Sequence, residues 1–184
     1  MATDTPSSTF DALHAAIEAA IRTRFADFAT VEFYRDVNSG APPTPACLLA
    51  MTRCDRGKDS DDGSGQLQAV LRFEARISVH SAAADSALQL RRIAVNLATW
   101  LHQLGRFPGA PCGAIEVIAA LPEDAAAAQP DLRTWIVEWS VPLALGGNAW
   151  DDSDGVVPHA SYSFAPEIGR AHERRYQPLA EDTP

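Results

Sequence analysis

The side chains that could carry acid–base or metal chemistry are scattered along this 184-residue chain. The five histidines stand at positions 14, 80, 102, 159 and 172. A metal site would need a cluster such as His159, His172 and a carboxylate, but the two histidines stand 13 positions apart in irregular sequence. His80, at the end of a predicted strand, and His102, on the polar side of a predicted helix, are expected to be solvated. No metal site is predicted.

The cysteines do not form a recognisable nucleophile or redox motif. Cys47, Cys54 and Cys112 make no CxxC pair and are odd in number, so we expect buried or half-buried thiols in a reducing cytoplasm. Cys47 as a nucleophile would need a histidine base, and the sequence places none beside it. GxSxG, Walker, GxGxxG and HExxH motifs are also absent, which lowers the expectation of an enzyme, and we assign no catalytic residue and no cofactor.

Two acidic clusters resemble cation-binding loops only superficially. Counting from Asp59, a calcium loop would need glycine at the sixth position and glutamate at the twelfth, where Ser64 and Val70 stand. Residues 55–65 are therefore interpreted as a solvated hairpin tip. Residues 151–154 could hold a cation, but a solvated acidic turn is the commoner arrangement.

The charge balance excludes some partners. The chain has 24 acidic and 15 basic residues, a net charge of −9, and a single lysine, Lys58. Binding to nucleic acid or to an anionic membrane surface requires many cations, so broad attachment to either is disfavoured. No apolar run reaches the ~18 residues of a membrane span, and residues 1–9 do not resemble a secretory signal.

A first amphipathic helix is predicted over residues 10–28. Its apolar residues recur at spacings of three and four. Ser8 or Thr9 can cap it, and Asp11 would lie in the first turn, where the helix dipole favours a negative charge.

A second amphipathic helix is predicted over residues 83–104. Ser81 can cap its start, and Gly105 follows the last residue of the apolar stripe. Glycine is favoured directly after a helix because it adopts positive φ without strain. We therefore expect the helix to end at residue 104.

Alternating and apolar stretches predict five strands. The clearest is 66–80, in which all seven odd positions are apolar and Val70 is the only apolar even position. Fifteen extended residues span ~50 Å, more than the ~40 Å diameter of such a domain, so the hairpin of residues 46–80 should bend or project. Pro142 cannot donate to a ladder, so that end of the strand should be an edge or lie past the sheet. The predicted strands are residues 31–35, 46–54, 66–80, 114–121 and 132–145.

Residues 146–184 differ from the rest of the chain. They contain Gly-Gly, four prolines, seven acids and three arginines, without sustained periodicity, but aromatic residues punctuate them. We predict an α+β domain over residues 1–145, followed by an extended C-terminal arm whose aromatics dock on its own domain or on a neighbouring subunit. The domain is a mainly antiparallel sheet of four to five strands with two helices packed on one face and a long projecting hairpin.

Several segments are together similar to one family. They are the N-terminal amphipathic helix, the proline-flanked strand at 43–49, the long strand at 71–77, the Leu-, Arg- and Ala-rich helix of 87–104, the Trp-rich strand at 135–139, and the tail segments 147–151 and 166–173. In this order they resemble the tail terminator (tail completion) proteins of tailed bacteriophages.

The resemblance implies a structural virion protein without catalytic residues. Such proteins form a hexameric ring on the last ring of the tail tube, stop its polymerisation and provide a docking surface for the head and neck. The protein would be made in the host cytoplasm and lie at the head-proximal end of the tail. Its partners would be further copies of itself, the tube protein (and the sheath if the tail is contractile) and a neck or head-completion protein.

Particular residues are expected to serve this role. Aromatic and arginine residues are enriched in interface cores, and acids facing the channel would let DNA pass without adhering because like charges repel. The expected interface residues are Trp150, Tyr162, Phe164, Ile168, Tyr176, Arg72 and Arg76; the expected channel-facing acids are Asp59, Asp61, Asp62, Asp151, Asp152 and Asp154.

Two alternatives remain open. Within the same class, the chain could be a neck or head-completion connector. In another class, it could be a small cytoplasmic α+β enzyme or ligand-binding domain, which a deep pocket with converging His or Asp groups would favour.

Overall fold

The chain divides into two compact units, residues 2–150 and residues 151–184, here called the body and the C-terminal unit. A computed structural model describes residues 6–58, 63–82, 85–123, 131–149 and 161–178. Each unit is described by itself.

The first helix, α1, runs from Pro6 to Arg24. Proline suits the first position of a helix because its φ is already helical and it has no N–H to satisfy. Ser8 and Thr9 therefore lie inside the helix, and no acid stands in its first turn, so the predicted cap and the predicted place of Asp11 were wrong. The helix also ends four residues before the predicted residue 28.

The second helix, α2, runs from Ser86 to Leu104. Asp85 precedes it in a left-handed conformation (φ 58°) and makes no side-chain capping bond. Ser81 is not the cap either: its carbonyl oxygen accepts a hydrogen bond from Ser86 Oγ at 3.2 Å. The predicted end is confirmed, because Gly105 has a φ of 71° and its N–H donates to the Leu101 carbonyl.

Five strands form one mixed sheet in the order β1-β2-β3-β5-β4. β1 and β2 are parallel, while the β2–β3, β3–β5 and β4–β5 pairs are antiparallel. The predicted α+β class and mainly antiparallel sheet are confirmed. The strands are β1 (Thr30–Phe33), β2 (Ala46–Arg56), β3 (Leu67–His80), β4 (Glu116–Pro122) and β5 (Leu132–Leu145).

One hydrophobic core lies between the sheet and both helices. The odd positions of β3 from 69 to 79 are buried, as the alternation predicts. Phe73 and Trp139, at the centre of the sheet, are 1% and 0% exposed, and their rings stack at 5.9 Å between centroids. The helices add Leu13, Ile17, Ile21, Leu90, Ala94, Leu97 and Leu101 to the same cluster. Both helices therefore cover one face, and in the described part of the chain no helix covers the other.

The long hairpin of β2 and β3 extends past its neighbour β1. β1 pairs only with Ala46–Leu49 of β2, so the rest of β2 has no strand on its outer side among the described residues. The β2–β3 register shifts between Met51 and Arg53, the kind of bulge that bends a long strand. On its other side β3 pairs with β5 along its full length.

Pro142 lies on β5 beyond the start of β4, as its missing N–H predicts. Regular β4 pairing begins at Glu116 opposite Ser140. At Pro142 itself, the carbonyl accepts a bond from Gly113 N–H at 2.7 Å. A Cβ on Gly113 would lie 3.0–3.3 Å from three Pro142 carbons, so a larger residue here would push against the proline ring, which glycine avoids.

The C-terminal unit contains short elements that the periodicity did not reveal. β6 (Ser161–Tyr162) pairs antiparallel with β7 (Gln177–Pro178), and Arg170–Arg175 forms a 3-10 helix between them. The Tyr162 hydroxyl donates to Gln177 Oε1 at 3.0 Å, and the Tyr176 hydroxyl accepts from Gly169 N–H at 2.8 Å. Two-residue strands are too short to produce a sequence pattern, which is why these segments read as irregular.

Candidate assembly surfaces

The body positions its histidines for packing or solvation. His14, on α1, places Nδ1 2.9 Å from the Phe10 carbonyl and Nε2 2.8 Å from the Tyr34 hydroxyl. Its ring centroid lies 4.6 Å from that of Phe33. His80 and His102 are exposed, as predicted. Both nitrogens of His14 are thus engaged within its own packing environment.

No metal cluster is present in the described part of the body or the C-terminal unit, where no three His, Cys, Asp or Glu side chains come together. His172 is half-buried on the 3-10 helix, and its suggested co-ligand His159 lies outside the described residues. The same regions hold no helix long and apolar enough to cross a bilayer.

Cys47 is unsuited to nucleophilic chemistry. It lies on β2 with no exposed surface, and burial raises the pKa of its thiol from 9.0 to about 12. A thiol nucleophile must ionise, which this environment opposes. Cys54 is exposed and Cys112 is buried.

The raised pKa of Cys47 predicts a loss of stability in alkali. Between pH 9 and 12 the unfolded chain releases the Cys47 proton while the folded chain keeps it, so stability falls as pH rises. We expect this thiol to cost about 2–3 kcal/mol of unfolding free energy between pH 8 and 11, measured by urea denaturation. Cys47→Ala should lose less stability over that interval, and an equal loss in both proteins would contradict the prediction.

The uncovered sheet face carries two of the expected interface residues, Arg72 and Arg76. Arg76 contacts the carboxylates of Glu74 and Glu123 at 3.1 and 3.4 Å. Arg72 lies 3.5 Å from Asp55 Oδ2. Both arginines are about half exposed, at 46% and 47%, so each combines a fixed position with donors that can reach a partner.

The C-terminal unit presents apolar side chains to solvent. Phe164 is 77%, Ile168 58% and Tyr162 41% exposed, and the rings of Tyr162 and Phe164 meet edge-on at 5.8 Å. Tyr176, the remaining expected residue of this unit, is half-buried. Large apolar groups exposed together in so small a unit are typical of a contact surface.

Seven expected residues lie outside the described residues. They are Trp150 of the interface set and all the acids expected to face a channel: Asp59, Asp61, Asp62, Asp151, Asp152 and Asp154. Their roles remain predictions.

The sequence reasoning missed a surface on α2. Leu88 and Val95, seven residues apart, are 49% and 53% exposed. Neither belongs to the apolar stripe that the sequence predicts for this helix, which consists of Leu90, Ile93, Leu97, Trp100, Leu101 and Leu104. Arg92 lies between Leu88 and Val95 and is exposed. The sequence does contain one signal of this surface. The helix has arginines but no acid, in a chain with more acids than bases.

No protein-family model and no curated protein matches this chain.

Proposed function

We propose that this chain is a structural protein of a phage-type tail, which caps the tail tube as a ring and ends its polymerisation. The observation that carries the proposal is the exposed apolar group of the C-terminal unit, Phe164, Ile168 and Tyr162. Burial of such side chains against a neighbouring subunit stabilises the assembly, because it removes apolar surface from water. The sequence segments resemble those of tail terminators in their order, and this resemblance is the reason for proposing a tail-capping ring.

The ring would contain six copies joined by heterologous contacts. A contact that joins one surface to a different surface on the next copy generates a closed ring when the rotation permits. Arg72 and Arg76 would add charge-assisted bonds to a partner, because their guanidinium groups are about half exposed. The tail tube would contact one side of the ring and a neck protein the other.

The lumen of this ring would carry DNA without binding it. The acids of the hairpin tip, Asp59, Asp61 and Asp62, come from the loop of the longest hairpin and would supply negative charge there. The protein would then belong to the head-proximal end of the virion tail.

Tube assembly in the presence of the purified chain tests the proposal. Tube protein polymerised with the chain should give shorter tubes, each with extra density at one end in negative-stain images. Native mass spectrometry should find six copies per capped end. Unchanged tube lengths together with binding to the portal would instead favour a head-completion connector, and a stable dimer would contradict the ring.

A further inference from the structure

The sheet of the body has two open edges, the outer side of β4 and the part of β2 beyond β1. β1 pairs with β2 only as far as Leu49, so residues 50–56 have no strand on their outer side in the described part of the chain. β4 is the last strand at the other end of the sheet, and it spans residues 116–122. Such an edge presents backbone N–H and C=O groups that can pair with another strand.

The outward-facing residues of β2 follow from alternation, because successive residues of a strand direct their backbone groups to opposite neighbours. Leu49 faces outward, where its carbonyl accepts a bond from the residue after β1, so Met51 faces outward too. Gly57 faces β3, since its N–H donates to the Gln68 carbonyl at 2.7 Å, and three positions before it Cys54 faces outward. The register shift of β2 lies between these two outward-facing residues, which sets them three positions apart.

The second half of β4 is placed in the same way. Glu123 faces β5, because its N–H donates to the Thr134 carbonyl at 3.2 Å. Counting back from it, Pro122 and Ala120 face outward. An outward-facing proline suits an edge, since its missing N–H leaves no gap in the ladder.

The first half of β4 gives the remaining outward-facing residue. Ser140 of β5 faces β4, because Pro142, two positions further on, accepts a bond from Gly113 N–H on that side. Glu116 pairs with Ser140 and therefore faces β5, so the next residue, Val117, faces outward. A register shift follows Val117. The outward-facing residues of β4, 117 and 120, are therefore three positions apart, like those of β2.

We propose that β4 of one copy pairs antiparallel with residues 50–56 of the next copy, so that one sheet continues across the subunit boundary. Ala120 pairs with Met51, and Val117 pairs with Cys54. The matching spacing lets both pairs form in one register. This inference rests on the proposed ring, whose subunit contact it identifies. Because two different edges meet, the contact is heterologous and repeats from copy to copy.

The direction of pairing follows from the sheet itself. The β2–β3, β3–β5 and β4–β5 pairs are all antiparallel, so β4 runs opposite to β2 within one copy. A next copy that keeps its helices on the same side of the continued sheet therefore places its β2 antiparallel to β4. Pro122 then comes opposite Leu49, where β1 already occupies the edge. β4 thus lies end to end with β1 along β2.

The apolar side chains at this junction lie on the helical side of the sheet. Met51, Val117 and Ala120 are half-buried against the core of their own copy. The proposed register brings Met51 beside Ala120 and so extends that core from one copy into the next. Burial of this remaining apolar surface stabilises the contact.

The charges of the two edges are opposite in sign. Residues 50–58 contain three basic residues and one acid, whereas residues 116–123 contain two acids and no base. Glu116 comes opposite Asp55, but Asp55 is already paired within its own copy, 2.6 Å from Arg53 Nε and 3.5 Å from Arg72 Nε. The basic excess of the β2 edge therefore attracts the acids of the β4 edge.

Oxidative cross-linking of the full chain tests the pairing. Cys54 is an exposed native thiol on the β2 edge, and the other two cysteines are buried. With Val117→Cys, diamide should join Cys54 to the new thiol of the next copy, because opposed residues have Cα atoms about 5.5 Å apart, within disulfide range. Within one copy three strand spacings, about 14 Å, separate these positions. Non-reducing gels should therefore show a ladder of covalent species larger than a dimer.

Two controls establish which thiols are joined. Val95→Cys is the matched control, because Val95 is a valine 53% exposed on α2, away from both edges; it should give no such ladder. Cys54→Ser combined with Val117→Cys should also remove the ladder. The original chain has one exposed thiol among its cysteines and should form no species larger than a dimer.

Ala120→Pro tests the backbone pairing separately. The Ala120 N–H faces outward, so proline removes a bond to the next copy without breaking the β4–β5 ladder. In the Val117→Cys background we expect the yield of cross-linked species to fall at least about tenfold, with little change in thermal unfolding. Ala120→Val keeps the N–H and should cross-link as well as its parent.

The outcomes separate this inference from the proposed function. A ladder no stronger than that of Val95→Cys, cross-linking that stops at a dimer, or a ladder that Ala120→Pro leaves unchanged overturns the edge pairing even if the chain still caps tail tubes. A ladder that depends on Cys54 and Ala120, in a chain that never affects tube length, supports the pairing and overturns the capping role.

Discussion

Trp139→Ala is expected to lower the free energy of unfolding by about 3–5 kcal/mol. Trp139 has no exposed surface and lies at the centre of the sheet, opposite Phe73 on β3 and Val117 on β4. Its removal leaves a cavity between strands paired on both sides, which cannot close without breaking ladder bonds. Since domains of this kind are stable by about 5–15 kcal/mol, the loss should be readily measured by urea denaturation.

Trp139→Phe separates the cost of the cavity from the contribution of the indole N–H. Among the described residues, the Trp139 indole N–H is buried and donates to no partner. An unpaired buried donor costs about 1–3 kcal/mol, so phenylalanine removes an unfavourable group while it keeps most of the ring. We expect Trp139→Phe to change stability by less than about 1.5 kcal/mol. A cost equal to that of Trp139→Ala would show that the N–H is satisfied in solution.

The sheet was predictable where one face is buried. β3 was predicted one residue too long, and the predicted bounds of β5, residues 132–145, agree with the structure. Burial of every second residue forces a period of two on the sequence. Pairings between strands that no hairpin connects leave no such trace, so the position of β5 between β3 and β4 and the parallel pairing of β1 with β2 were not predicted.

The ends of the helices were less predictable, for a physical reason visible at α1. Phe25 and Phe28 continue the helical spacing of apolar residues, which extended the prediction to residue 28. In the structure the helix ends at Arg24. The two rings pack on each other beyond it, 5.9 Å apart, and Phe28 N–H donates to the Phe25 carbonyl. Apolar residues that follow a helix can therefore keep the helical spacing while they pack in a loop, so the spacing alone does not mark the end of the helix.

One candidate surface could be predicted from the sequence, and another could not. Tyr162, Phe164 and Ile168 were surface candidates because they are large apolar residues in irregular sequence, and the structure exposes all three to solvent. A groove beside the end of α1, lined by residues 24–28, by Pro45 and by Arg92 and Ile93 of α2, was not found because its residues come from three segments that are distant in sequence. Only the topology of the sheet and helices brings them together.

Replacing Tyr162, Phe164 and Ile168 by alanine in the full chain is expected to abolish tube capping without unfolding the protein. All three side chains are exposed, so unfolding free energy should change by no more than about 0.5 kcal/mol per site. If a neighbouring subunit or tube protein covers them, their loss removes about 3 kcal/mol per contact, or roughly a hundredfold in affinity. Tube-length distributions measure capping, and thermal unfolding measures stability.

A volume-conserving variant is the control for this triple substitution. Tyr162→Phe, Phe164→Leu and Ile168→Val keep most of the apolar area but lose the hydroxyl that donates to Gln177. We expect this variant to cap tubes almost as well as the original chain, because apolar area rather than a directed bond would drive the contact. Normal capping by the alanine variant would show that these side chains are not the docking surface. Loss of capping by both variants would assign the effect to the Tyr162–Gln177 bond, since the C-terminal unit would then act through its fold rather than its apolar surface.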